Sequence, residues 1–138
     1  MKHIHVLRTT CAAADFRPLF AALAALGLRV GWLDMESTAG APAELEQAAA
    51  QGAFRSVGVT ADRVLTVKPV HGATVLKDLL REYFAGCRLV VIRGGLDAPE
   101  LLVAPEGYRV RFEDGTEKDF SSEALAKALR KPLLRRAR

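Results

Sequence analysis

The chain lacks the features that mark exported, membrane-spanning and disulfide-bonded proteins. Its 138 residues contain two cysteines, and its apolar runs are far shorter than the roughly 18–20 residues that a transmembrane helix needs. Arg8 interrupts the apolar stretch Ile4–Leu7 before a signal-peptide core could form. We therefore expect a cytoplasmic protein with two free thiols and no membrane partner.

The standard signatures of nucleotide binding and hydrolase chemistry are also missing. No Gly-x-Gly-x-x-Gly follows the first strand, and the sequence contains neither a Walker lysine loop nor a Gly-x-Ser-x-Gly elbow. Asp34 and Glu36 end the second predicted strand, where an acid often meets a ribose, but the supporting glycines are absent. His3 and His5 have no carboxylate or cysteine at ligand spacing, so the sequence predicts no metal and identifies no cofactor.

The net charge of +4 belongs to the end of the chain. Six basic residues and no acidic ones lie in the last twelve positions; they are Lys127, Arg130, Lys131, Arg135, Arg136 and Arg138. Without them the chain has 14 basic and 16 acidic residues, so its body is slightly acidic. We interpret residues 132–138 as a solvated basic tail. Nucleic acid is not an expected partner, apart from weak contacts through this tail.

Short apolar segments alternate with amphipathic ones, which predicts a parallel sheet covered by helices. The predicted strands are His3–Thr10, Arg29–Asp34, Arg63–Val67 and Arg88–Ile92. The predicted helices between them are Asp15–Leu28, Ala43–Ala53 and Ala73–Ala85, each with apolar residues at helical spacing and a glycine at or near its end.

The last third of the chain changes character. Leu101–Val103 and Tyr108–Glu113 are too close for a helical crossover and are predicted to pair antiparallel. Asp114-Gly115 is a hairpin signal that returns the chain through Thr116–Phe120, and a helix over Glu123–Arg130 follows.

We expect a single α/β domain over residues 1–131, built as a three-layer α/β sandwich of flavodoxin-like or Rossmann-like type. Its sheet is mostly parallel and carries the C-terminal antiparallel hairpin and final helix. A thioredoxin-like fold with an inserted β-α pair is the alternative, since strand–helix–strand opens the chain and hairpin–helix closes it.

The four predicted strands end in polar or glycine-bearing segments. If the strands are parallel, these segments meet at one edge of the sheet, where open α/β sheets bind their ligands. The residues that would gather there are Arg8, Thr9, Thr10, Lys68, His71, Gly72, Arg93 and Gly94. Because the body of the protein is slightly acidic, this concentration of basic groups and hydroxyls predicts a small anionic ligand: a phosphate, a nucleotide or a carboxylate.

Cys11 is a second candidate for chemistry, because it lies between a strand and a helix N-terminus that could activate its thiol. Cys11 and Arg17 have the Cys-x5-Arg spacing of thiol phosphatases, and the strand–Cys–helix order resembles the start of glutaredoxin-like proteins in outline. Cys87 and Arg93 have the same spacing across a predicted strand, so the spacing has little specificity. Position 14, where a Cys-x-x-Cys motif needs its second thiol, is alanine.

Three functions therefore stay open. The first is anion binding, in which His71 could also act as an acid or base. The second is a non-catalytic interaction or assembly module, which would use the hairpin edge around Tyr108–Phe120 and the basic tail, with self-association included. The third is redox or phosphatase-like chemistry at Cys11. The sequence does not decide whether the protein is an enzyme.

Overall fold

A computed structural model of the chain describes residues 4–35, 42–53, 55–68, 76–94 and 97–131. Within these ranges the strands are β1 (His5–Thr9), β2 (Val30–Asp34), β3 (Ser56–Val59), β4 (Val64–Val67), β5 (Leu89–Arg93), β6 (Glu100–Ala104), β7 (Gly107–Arg111) and β8 (Glu117–Phe120). The helices are α1 (Arg17–Ala25), preceded by a 3-10 turn over Ala13–Phe16, α2 (Ala43–Ala50), α3 (Leu76–Tyr83) and α4 (Ser122–Leu129). The chain divides into two compact units, Met1–Glu36 with Arg81–Arg138, and Ser37–Leu80.

The first unit contains a six-stranded sheet in the order β2-β5-β1-β6-β7-β8. The strands β2, β5, β1 and β6 run parallel, and β6–β7 and β7–β8 are antiparallel pairs. The mixed α/β fold with a mostly parallel sheet is therefore confirmed, together with the C-terminal hairpin and the final helix. Leu89–Ile92 of β5 is fully buried, as its continuous apolar run predicts for a central parallel strand.

The core of this unit lies between the sheet and the helices α1 and α4. Buried side chains of the first helical segment, Phe16, Leu19 and Leu23, pack with Leu125 and Leu129 of α4. Their spacing of three or four residues forms the apolar stripe that buries one side of each helix. Pro18 lies in the first turn of α1, where its missing N–H costs no helical hydrogen bond.

A single backbone bridge joins the two halves of the sheet. Among the described residues, β1 and β6 pair only at Arg8 and Glu100, after which β6 continues beyond the end of β1. The bridge is reinforced by the hydroxyl of Thr9, which donates to the carbonyl oxygen of Leu101 at 2.7 Å. The antiparallel hairpin therefore extends past the carboxyl end of the parallel strands.

The prediction that the third strand joins the parallel sheet is wrong. The predicted segment forms β4, which pairs antiparallel with β3 in a separate two-stranded sheet of the second unit. The strand β3 is not among the predicted elements, because Ser56 and Gly58 interrupt its apolar pattern. A Cβ atom at position 58 would lie 3.1 Å from Cδ1 of Leu45 in α2. Gly58 therefore lets the helix approach the strand.

The remaining boundaries differ from prediction mainly at helix ends. The first predicted helix begins as the 3-10 turn, and α2 ends at Ala50, three residues early. The third helix is observed from Leu76, and residues 73–75 lie outside the described residues. The single domain over residues 1–131 stays a prediction, and the tail at 132–138 lies outside the described residues as well.

Candidate functional site

The carboxyl ends of three parallel strands lie side by side at one edge of the six-stranded sheet. Thr9 of β1 is the register partner of Arg93 of β5, and Arg93 is the register partner of Asp34 of β2. We call this row of three residues, with Thr10, Met35 and Gly94 that directly follow them, the carboxyl edge. Residues at matching register positions point to the same face, so the three side chains share the face that α1 covers.

Arg93 provides the positive charge of the carboxyl edge. Its Nη1 lies 3.3 Å from Oδ2 of Asp34, and the two side chains are 43% and 23% exposed. Its Nε and Nη2 make no hydrogen bond to any residue that the structure describes. Among the described residues, the guanidinium is thus held by one carboxylate, and its Nε and Nη2 groups can donate to a further partner.

Thr9 is buried and has a structural role at this edge. Its hydroxyl donates to the carbonyl of Leu101 and accepts a 3.0 Å hydrogen bond from the backbone N–H of Cys11. Both bonds shape the turn that leads out of β1. Thr10, the next residue, is exposed and directly follows the end of the strand.

Arg8 does not join the carboxyl edge, because consecutive residues of a strand point to opposite faces. Its Nε donates to the carbonyl of Ala98 at 3.0 Å, and its Nη2 lies 3.4 Å from Oε1 of Glu100. Glu100 is buried, with an exposed fraction of 8%. Its Oε1 also lies 3.5 Å from Nη1 of Arg111. Arg8 is therefore committed to neutralising a buried carboxylate.

Gly94 follows Arg93 with a positive φ of 151°, a conformation that strongly favours glycine. A side chain here would begin 3.0 Å from Cβ of Met35. The backbone N–H of Met35 donates to the carbonyl of Arg93 at 2.8 Å, which holds the two strand ends together. Gly94 thus lets the ends of β2 and β5 approach closely, and its part in a ligand site stays a prediction.

The other predicted site residues are placed differently. Lys68 follows β4 in the second unit and so is not on the six-stranded sheet. His71 and Gly72 lie outside the described residues, so their part in a site stays a prediction. Of the eight predicted residues, Thr9, Thr10, Arg93 and Gly94 come together.

Cys11 lies at the start of the turn into the first helical segment. Its side chain is half-buried against the core. Oδ2 of Asp15 accepts the backbone N–H of Ala12 at 3.0 Å, so a carboxylate already occupies the start of the 3-10 turn. Burial raises the pKa of the other thiol, Cys87, against the opposing charge of Arg29.

Tyr108 is a residue whose role the sequence did not reveal. From β7 its hydroxyl donates to the carbonyl of Asp15 at 3.0 Å and accepts the N–H of Leu19 at 3.4 Å. Leu19 N–H is one of the amides that the start of a helix leaves without an internal partner, and the cap position of α1 has no side-chain cap. Burial raises the pKa of this hydroxyl above its ordinary value of 10.0, against the opposing bond from Leu19.

The outer edge of the sheet, β8, is highly charged. Nε of Arg109 lies 2.7 Å from Asp119, and Nε of Arg111 lies 2.9 Å from Glu117. The hydrogen bond from Arg109 lowers the pKa of Asp119. Charged side chains on an edge strand oppose the addition of further strands, and the assembly role of this edge stays a prediction.

Comparison with known proteins adds no family to this description: no family model matches the chain, and no curated protein matches it. The described part of the chain has no helix long and apolar enough to cross a membrane. Nor do three or more His, Cys, Asp or Glu side chains come together as a potential metal site anywhere in those ranges. The candidate site therefore rests on its own geometry.

Proposed function

We propose that the protein binds a small anionic ligand at the carboxyl edge, with Arg93 as its principal charge. The observation that carries this proposal is the difference between the two arginines at the ends of β5 and β1. Arg93 is paired with a partly exposed carboxylate, whereas Arg8 is paired with a buried one. Exposed ion pairs are worth only about 0–1 kcal/mol, while breaking a buried pair costs roughly 3–5 kcal/mol.

An incoming anion can therefore exchange with Asp34 but not with Glu100. Phosphate and carboxylate both match the planar donor fork of a guanidinium, and a charge-assisted hydrogen bond contributes about 1.5–3 kcal/mol. The exposed hydroxyl of Thr10 and the backbone around Gly94 are the neighbouring groups that such a ligand would meet. These contacts support a ligand bearing a phosphate or carboxylate group, and they assign no reaction to it.

The proposal predicts opposite effects for the two members of the ion pair. Arg93→Gln should weaken phosphate binding by about tenfold or more, because one charge-assisted bond is worth at least about 1.4 kcal/mol, a factor of ten. Asp34→Asn should strengthen it, because the competing negative charge is removed. Binding is measured by ¹⁵N-resolved NMR titration with phosphate and acetate at constant ionic strength.

Arg63→Gln is the matched control, because Arg63 is 66% exposed and pairs with Asp62 in the turn of the other sheet. It should leave the titration unchanged. The proposal predicts that the amides of Thr10, Arg93 and Gly94 shift first. Equal weakening by Arg63→Gln and Arg93→Gln, or weaker binding by Asp34→Asn, would contradict it.

The finer description of the fold is also a proposal. A three-layer sandwich is supported by α1 and α4 on one face and by the full burial of Val90 and Ile92, which point to the other. The four parallel strands, numbered by their order along the chain, lie across the sheet in the order second, third, first, fourth. This differs from the usual Rossmann and flavodoxin orders. The likeness to those folds is therefore one of architecture. Thiol chemistry at Cys11 and self-association stay untested predictions.

A further inference from the structure

The exposed apolar side chains of the protein are concentrated in the two-stranded sheet of the second unit. Of the seven large apolar side chains that are exposed in the described part of the chain, four belong to β3 and β4. None of the residues in these two strands is charged, although 26% of the whole chain is. Such a concentration of exposed apolar groups indicates an interaction surface.

The register of β3 and β4 separates the two faces of this sheet. Gly58 and its register partner Leu65 point to the face that α2 covers, because Leu45 of α2 lies against position 58. Side chains alternate along a strand, so the neighbouring register pairs point to the opposite face. We call these two pairs the valine face; its residues are Val57 with Thr66 and Val59 with Val64.

The valine face is open to solvent. The exposed fractions are 53% for Val57, 76% for Val59 and 64% for Val64, whereas Ser56 on the opposite face is only 6% exposed. An apolar sheet face is normally buried against another layer of structure, and a two-stranded sheet is marginally stable without such packing. The helix α2 supplies this layer on one side only, so the valine face still has room for a second layer.

A second copy of the chain is the partner that this face fits. An interface formed by the same patch on both subunits must be complementary to itself, and like charges across it would repel. The valine face has no charged residue, and Asp62 and Arg63 in the turn beside it form their own ion pair at 3.2 Å. Two copies of this neutral face can stack about 10 Å apart, like the inner faces of a β-sandwich.

We propose that two copies of the protein associate by stacking their valine faces about a two-fold axis, with α2 of each copy on the outer side of its sheet. Two strands of four residues measure about 13 Å by 10 Å, which is far less than the roughly 800 Å² that each partner buries in a stable complex. The dimer is therefore weak and reversible. The valine face does not include the carboxyl edge, so this inference does not rest on the proposed function.

Sedimentation equilibrium of the full chain between about 20 µM and about 1 mM tests the association, because a weak dimer forms by mass action. The weight-average mass of the wild type should rise with concentration. Val59→Lys places like charges against each other across the two-fold axis, so it should raise the dissociation constant about tenfold or more. Val103→Lys is the matched control: the same substitution at a valine of β6 that is 50% exposed should leave the association unchanged.

A second measurement uses only the wild-type protein and does not depend on the folding of the lysine variant. In a mixture of ¹³C-labelled and unlabelled protein at high concentration, isotope-filtered NOEs should connect the methyl groups of Val57, Val59 and Val64 in one copy with those of the other. Thr66→Val removes the one hydroxyl of the valine face and should strengthen the association, because it adds apolar surface to the contact.

Three results would overturn the inference. One is a protein that stays monomeric at about 1 mM. Another is equal weakening of the association by Val59→Lys and Val103→Lys, which would place the contact elsewhere. The third is a set of intramolecular NOEs from the valine-face methyl groups to residues outside the second unit, because the chain would then cover this face itself.

Discussion

Thr9→Val tests whether the single bridge between β1 and β6 depends on one hydroxyl. Thr9 is 1% exposed, and valine has nearly the same shape, so the change removes polarity without making a cavity. It leaves the carbonyl of Leu101 without its 2.7 Å donor and the N–H of Cys11 without its 3.0 Å acceptor. An unsatisfied buried polar group costs about 1–3 kcal/mol.

Water can reach the half-buried amide of Cys11. The loss of the hydrogen bond from this amide should therefore cost less than the loss of the hydrogen bond to the Leu101 carbonyl. The added methyl group of valine returns up to about 0.8 kcal/mol of apolar burial. The net expectation is a destabilisation of about 1–3 kcal/mol. At a urea dependence of about 2 kcal/mol per molar, a loss of 2 kcal/mol lowers the unfolding midpoint by about 1 M.

Trp32 is the sole tryptophan of the chain and lies on β2, so its fluorescence follows unfolding of the first unit in urea. Thr10→Val is the matched control: the same substitution one residue on, at an exposed side chain, should change stability by less than about 0.5 kcal/mol. Thr9→Ser keeps the hydroxyl and should recover most of the loss. A Thr9→Val midpoint equal to that of Thr10→Val would refute the reasoning.

Two further predictions concern β7. Tyr108→Phe should cost about 1–2 kcal/mol in urea unfolding, because it removes the acceptor of Leu19 N–H. Since the folded pKa of Tyr108 is raised, its stabilisation is complete below 10.0 and falls as pH rises above it; urea midpoints from pH 8 to 11 should show this slope in the wild type and not in the phenylalanine variant. Gly107→Ala should destabilise more than Gly27→Ala in the same assay, although both glycines have positive φ, because only at position 107 would Cβ meet the backbone of Phe120. Gly27→Ala should cost about 1–2 kcal/mol from backbone strain alone, and an equal cost at position 107 would contradict the steric argument.

The parts of the fold that the sequence predicts correctly are those set by local pattern. The continuous run Leu89–Ile92 predicts a buried central strand, and Asp114-Gly115 predicts the hairpin turn. Strand pairing is not local: whether Val64–Val67 pairs with the large sheet or with its sequence neighbour depends on long-range competition. The partner strand Ser56–Val59 is short and contains Gly58. The contact with α2 that explains this glycine exists only in the folded state.

The candidate site shows the same division between local and distant information. The alternation of side chains along β1 is readable from the sequence, and this local geometry alone places Arg8 and Thr9 on opposite faces of the strand. The prediction that Arg8 and Thr9 both contribute to one ligand-binding edge ignored this alternation. The partner that occupies Arg8 could not be foreseen, because Glu100 is 92 positions away and meets it only through the register of β6.

The bridge between β1 and β6 is separate from the proposed anion contact, and this separation decides how phosphate binding should respond to a change in the bridge. Arg93 stands on β5 and keeps its register with β1 and β2 when the contact to β6 is weakened. Thr9→Val should therefore lower the stability of the fold while phosphate affinity stays within about twofold. A loss of phosphate affinity as large as that of Arg93→Gln would mean that Thr9 positions Arg93 itself, and the separation of the bridge from the anion contact would fail.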